Sequence, residues 1–212
     1  MGKTILKSDR SYAFADYFEL NYPIEEIIGE LGYQYALTRL TLPTGRIDTD
    51  TERLKATFYK QLPHVALTSE TARREVLVAP VLLGLLEYLT FKIDIEYPIY
   101  VNERLKGTID YFVRSAAAFV VVEAKKADME KGFTQLAVEL IALDQYVETA
   151  TDHLYGAVTV GDLWRFGVLR RQTRLIEKDI ESFRVPADLD ALFQVLIGIL
   201  QPAHSKDATF TV

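Results

Sequence analysis

The order of apolar and polar positions divides the chain into a run of strands framed by helices. Residues 91–101, FKIDIEYPIYV, and 105–114, LKGTIDYFVR, alternate with period two, as half-buried strands do. Residues 119–126, FVVVEAKK, are almost continuously apolar before ending in charge, which predicts a central strand covered on both faces. Ahead of these, residues 70–89 read as a long helix with Ser69 as its N-cap, apolar on all sides in its second half. Pro80 inside it predicts a kink or a helix junction, because proline has no amide to bond back one turn. Behind the strands, residues 130–149 carry helical spacing over roughly five turns. Residues 153–160 and 163–171 read as two further strands around the turn Gly161-Asp162, and 188–200 as a closing helix.

From Tyr12 to about Leu62 the chain reads as an irregular, mostly helical lead-in, with the turn-rich segment 42–50 between helical stretches at 22–33 and 49–62. The succession of elements predicts an α/β fold, a mixed central β-sheet flanked by helices. Residues 1–66 would be an N-terminal, mostly helical extension packed on the core, and 67–212 the main domain.

Composition narrows the chemistry. With 212 residues, 49% hydrophobic and 25% charged, the chain has the make-up of a globular protein with a substantial core. Its formal net charge of -6 means that contact with nucleic acid would rely on a local basic patch. The absence of cysteine excludes disulfides, thiolate zinc sites, iron-sulfur clusters and cysteine nucleophiles. His64, His153 and His204 show none of the short spacings of a helical zinc site, so a hard cation held by carboxylates is the metal option left. The first 20 residues hold no long apolar core of the kind a signal peptide needs, and nowhere do about 18 consecutive apolar residues suggest a membrane span, so a cytoplasmic location without a membrane partner is expected.

Candidate chemistry lies where the central strand ends. Glu123 and Lys125 are two apart and share a face, while Ala124 points the other way. A turn centred between Ala116 and Ala117 would set Asp110 directly opposite Glu123, with Cβ atoms roughly 4.5 to 5.5 Å apart. Two carboxylates that close repel unless a cation or proton lies between them, and together with waters they suit Mg²⁺. A turn displaced by one residue would put Asp110 on the wrong face. The same residues also fit a plainer reading, a buried strand emerging into solvent with Asp110 paired to a nearby lysine.

GTIDY, containing Asp110, followed by VVEAKK, containing Glu123 and Lys125, resembles the PD-(D/E)XK, or restriction-endonuclease-like, nucleases. That pattern places an acid at the end of one strand, then an acid, any residue and a lysine on the next, then a helix; the proline that often precedes the first acid is Ile109 here. The segment GFTQLAVEL is similar to the glutamine-containing helix of the nuclease domains of type I restriction motor subunits and helicase-linked repair nucleases. It puts Gln135 in an accessory position, although its place away from the Phe133, Ala137 and Leu140 stripe also fits a solvated amide. YGAVTVGDLWRFGVL is similar to the strand pair that follows the motif in the type I group; Trp164 within it reads as a packing residue.

The resemblance implies a restriction-endonuclease-like core and a Mg²⁺-dependent endonuclease, Mn²⁺ substituting, with Asp110 and Glu123 as metal ligands and Lys125 as a catalytic residue. A further acid from the preceding helix would be Glu70 in the first place or Glu75, although the helix dipole alone favours an acid at Glu70. Arg73, Arg74, Lys126 and Lys131 are candidate phosphate contacts. Implied partners are nucleic acid, DNA in the first place, a second copy of the chain, and a motor or specificity subunit. The competing expectation is a catalytically silent nucleic-acid-binding or partner-docking module of the same fold.

Overall fold

The period-two stretches pair in sequence order. In a computed structural model that describes residues 4–47, 51–115, 118–123, 128–147 and 151–201, with 118–123 as backbone alone, β2 (Lys92–Asn102), β3 (Leu105–Arg114) and β4 (Ala118–Glu123) form an antiparallel meander. Helix α6 (Met129–Tyr146) then recrosses the sheet, so that β5 (His153–Thr159) lies parallel to β4. Strand β6 (Leu163–Arg170) returns antiparallel around the Gly161-Asp162 turn, followed by β7 (Leu175–Asp179), while the short β8 (Phe183–Arg184) pairs with β6. The sheet is mixed, in the order β1-β7-β6-β5-β4-β3-β2, with β4 inside it as its apolar run predicts. Its first strand, β1 (Gln34–Thr38), comes from the lead-in and pairs parallel with β7, a strand that the helical spacing of the lead-in does not announce.

Helices cover both faces. On one, α1 (Phe14–Phe18), α2 (Ile24–Gly29) and α6 share a core with Phe112, Leu154 and Ile176 of the sheet. On the other, α3 (Glu52–Gln61), α4 (Glu70–Arg73), α5 (Ala79–Gly84) and α7 (Leu189–Leu200) enclose or flank a second core around Trp164, Phe166 and Val113. The stretch predicted as one helix over 70–89 begins at the Ser69 cap, whose hydroxyl accepts from the Ala72 amide at 3.0 Å. It then widens into a π turn over Arg74–Val78 and resumes as α5. Proline explains the break: Pro80 cannot donate to the carbonyl one turn back, and the wider turn relieves the ring's clash there.

Seating of α6 fixes the depth of the whole layer. Gly156 and Gly167 face each other across β5 and β6. A Cβ added to Gly156 would come within 2.6 Å of the Leu136 side chain, and one added to Gly167 within 2.6 Å of the Phe133 ring. The helix therefore lies in a trough that only glycine leaves open, and every residue from Gly132 to Leu143 is buried. Asp128 caps its start by accepting from the Glu130 and Lys131 amides. Its last turns are tied down by Asp144, which accepts from the Tyr33 hydroxyl and the Arg171 guanidinium, each at 2.6 Å.

Two outcomes follow from this packing. Gly167→Ala should lower stability by about 1–3 kcal/mol, the usual cost of forcing a methyl into a filled core, read as the shift in urea unfolding midpoint. Burial, and then the bond to Asp144, push the Tyr33 hydroxyl up to about 12 from 10.0. The folded protein keeps a proton that the unfolded chain releases, so this contribution is complete below pH 10.0 and is lost as pH rises toward about 12. Urea midpoints measured across that window should fall, and should fall less in Tyr33→Phe.

Candidate active site

Strand alternation breaks at Asp110. Ile109 and Phe112 both belong to the α6-side core, whereas Tyr111 and Val113 belong to the opposite one. Residues three apart cannot share a face of a regular strand, so the parity changes between them. The neighbouring strand does the same: Tyr97 packs on the α6-side core and Ile93 on the other, and between them Glu96 is left-handed, φ 54°. A non-glycine residue in that region marks a local departure from regular strand geometry. Asp110 thus sits at a paired irregularity of β2 and β3, with its side chain 16% exposed.

The hairpin register differs from expectation. Tyr111 pairs with Val121 and Arg114 with Ala118, leaving the three residues 115–117 between the last paired positions instead of an even-numbered turn. Continued one step as a regular ladder, this register would set Asp110 opposite Val122 rather than Glu123. Glu123 is the last residue of β4, paired with Thr159 of β5. Its side chain, and Lys125 and Lys126 entirely, lie outside the described residues.

Asp110, Glu70 and Gln135 line one cavity of about 440 Å³, together with Glu96 and Arg74. These residues arrive from β3, α4, α6, β2 and the π turn, so both helical layers and the sheet contribute. Glu75 is exposed and is not among the lining residues. Arg74 brings positive charge to this acidic wall: its Nη1 lies 3.5 Å from Glu96 Oε1 and 3.9 Å from Asp110 Oδ1. Its guanidinium also stands over the Tyr111 ring, 5.2 Å from the centroid. Burial works against the charge of Arg74, but the Tyr111 hydroxyl and the Asp110 carboxylate more than offset this, so its affinity for the proton is raised.

Gln135 is not a solvated amide. It is 4% exposed, and its Nε2 donates to Glu139 Oε1 at 2.9 Å, one turn on. Its own Oε1 is buried with no hydrogen-bond partner among the described residues. Glu139, 0% exposed, escaped the sequence reading. The signal was there: an acid four residues after Gln135 in an otherwise apolar run shares its helical face. Trp164 is a core residue as expected, its indole donating to the Gly161 carbonyl at 3.0 Å.

Three carboxylates and a free amide oxygen are hard oxygen donors, and the chemistry of this set suits Mg²⁺ or Mn²⁺ better than any softer metal. Among the described residues, no three His, Asp or Glu side chains are grouped closely enough to hold a metal ion by themselves. Compared with protein-family models, curated proteins and solved structures, the chain gives no match. Among the described residues no helix is long and apolar enough to cross a membrane.

The Gln135–Glu139 pair has a measurable weight. Gln135→Leu removes a donor from a fully buried carboxylate and should cost about 1–3 kcal/mol, read in thermal unfolding.

Proposed function

We propose that the chain is a metal-dependent nuclease with a restriction-endonuclease-like core over residues 67–212, hydrolysing phosphodiester bonds of nucleic acid, DNA in the first place. One observation carries the reading: Asp110, Glu70 and Gln135, singled out by motif from segments far apart in sequence, line a single cavity. The order of elements agrees with it. A helix precedes three antiparallel strands, the acid-x-lysine motif ends the third, and a helix leads to a parallel strand.

In this proposal Asp110 and Glu123 would hold the metal. A bound divalent ion supplies charge to the scissile phosphate and lowers the pKa of a coordinated water. Lys125 orients the attacking water or balances charge on the phosphate. Glu70 reaches the same cavity from the first turn of α4, where it can accept a proton or a hydrogen bond from that water. Gln135 offers its spare oxygen to a water as acceptor, and the bond to Glu139 fixes its orientation. Arg74, beside Asp110, supplies a cation for an incoming phosphate. A second copy of the chain would provide the second site that cutting both strands at one locus requires.

The test is cleavage of supercoiled plasmid and of single-stranded DNA by chelator-washed protein with Mg²⁺ or Mn²⁺ restored. Cutting should require the metal and fall at least about 100-fold in Asp110→Ala and in Lys125→Ala, the scale of losing a group that stabilises developing charge. Persistence in both variants would remove the site. A wild type inert on every substrate would favour the silent binding module or a subunit that cuts only with a partner protein.

A further inference from the structure

Lysine is rarely buried, and where it is, an anion must accompany it. Lys178 on β7 is 2% exposed, and its ammonium is bonded to Glu130 and stands 5.0 Å from the centre of the Phe133 ring. Burial pulls its affinity for the proton down while Glu130 opposes this. The partner is built very differently. The Glu130 side chain is 73% exposed, and its other oxygen accepts from Arg165 Nη1 at 3.2 Å. A buried cation is therefore neutralised by an acid that can turn into solvent without any change of backbone.

This pair lines a second cavity of about 440 Å³. Its other walls include Lys131 and Thr134 from the start of α6, Tyr22, Pro23 and the acidic Glu25 from the lead-in, and Tyr35 from β1. Thr134 lines this cavity and Gln135, the next residue, lines the one at Asp110, so both cavities adjoin the same turn of α6.

We propose that this cavity is a nucleotide-phosphate seat in which an incoming phosphate displaces the Glu130 carboxylate from Lys178. The exchange keeps Lys178 paired throughout, and Lys131 on the cavity wall adds positive charge around the incoming group against the acid Glu25. Tyr22 and Tyr35, on the same wall, would offer stacking to the attached base, a contact that tolerates any sequence. The inference rests on the nuclease reading for its choice of a nucleic-acid phosphate, and it gives the lead-in a role, as the wall against which the substrate strand lies. A free nucleotide carries the same chemistry, so the test separates the two sources.

Binding of a fluorescent single-stranded oligonucleotide by anisotropy, and of adenosine monophosphate by calorimetry, is measured in chelator on folded wild type and variants. Glu130→Gln should bind about 5- to 10-fold more tightly, because the competing carboxylate is gone. Lys178→Met should bind about 10-fold more weakly, and Lys131→Ala should lower the dependence of log affinity on log salt by about one unit. Tightening for the oligonucleotide alone assigns the seat to the nucleic-acid backbone; tightening for the mononucleotide assigns it to a free nucleotide. Wild-type affinities for both ligands in Lys131→Ala and in Glu130→Gln, each first shown by circular dichroism to be folded because Glu130→Gln removes the partner of a buried lysine, would overturn the seat even if the protein cuts DNA. A protein that binds through Lys178 and Lys131 but cuts nothing with metal would uphold the seat and count against the nuclease.

Discussion

The close approach of α6 to the paired glycines of β5 and β6 is the constraint on which the rest of the molecule depends. Because Phe133 and Leu136 rest directly on sheet backbone, the helix has one depth and one rotation. That rotation decides which side chains face which way: Gln135 and Glu139 together toward the buried side, Gln135 reaching the cavity at Asp110, and Glu130, Lys131 and Thr134 lining the second one. Close packing of this kind does not deform continuously, so one helix sets the geometry of two neighbouring cavities at once.

Irregular backbone concentrates around the acids. The parity change at Asp110, the left-handed Glu96 and the π turn beginning at Arg74 all lie on the cavity wall. Departures of this kind cost free energy, and they persist only where surrounding packing over-determines them. Here the π turn has a local cause in Pro80, yet its effect is to place Arg74 against Asp110 and Tyr111 from the helical layer opposite α6. Electrostatics then offset part of the cost, since an acidic wall and a guanidinium neutralise each other in a partly desolvated space.

Much of the fold was legible in the sequence because period and composition were strong. The meander, the central place of FVVVE, the α6 segment and the β5–β6 pair follow directly from alternation and turn residues. Strands β1 and β7 were not legible: five residues each, QYALT and LIEKD, neither alternates polar with apolar residues, and a loop carries such text equally well. For the candidate site, the types and positions of Asp110, Glu70 and Gln135 could be read from a motif, but their convergence could not. The opposition of Asp110 and Glu123 failed because register depends on the number of residues in the turn, which AAA-rich text leaves undetermined. Glu96, Glu139 and Lys178 were missed for one reason: a charge reads as solvent-facing in the sequence, and only the neighbours brought by the fold show whether it is solvated or buried.

The pairing of β1 with β7 has a consequence for the order in which the protein is made. Gln34 meets Leu175 and Thr38 meets Asp179, so the earliest strand of the chain finds its neighbour only after nearly all of the sheet has left the ribosome. Pairing across so long a loop carries a large entropic cost and comes late in assembly. The lead-in is therefore made before the rest of the sheet and is among the last parts of it to be completed. Until it docks, the outer edge of β7 stays open, a template for the wrong strand as well as the right one.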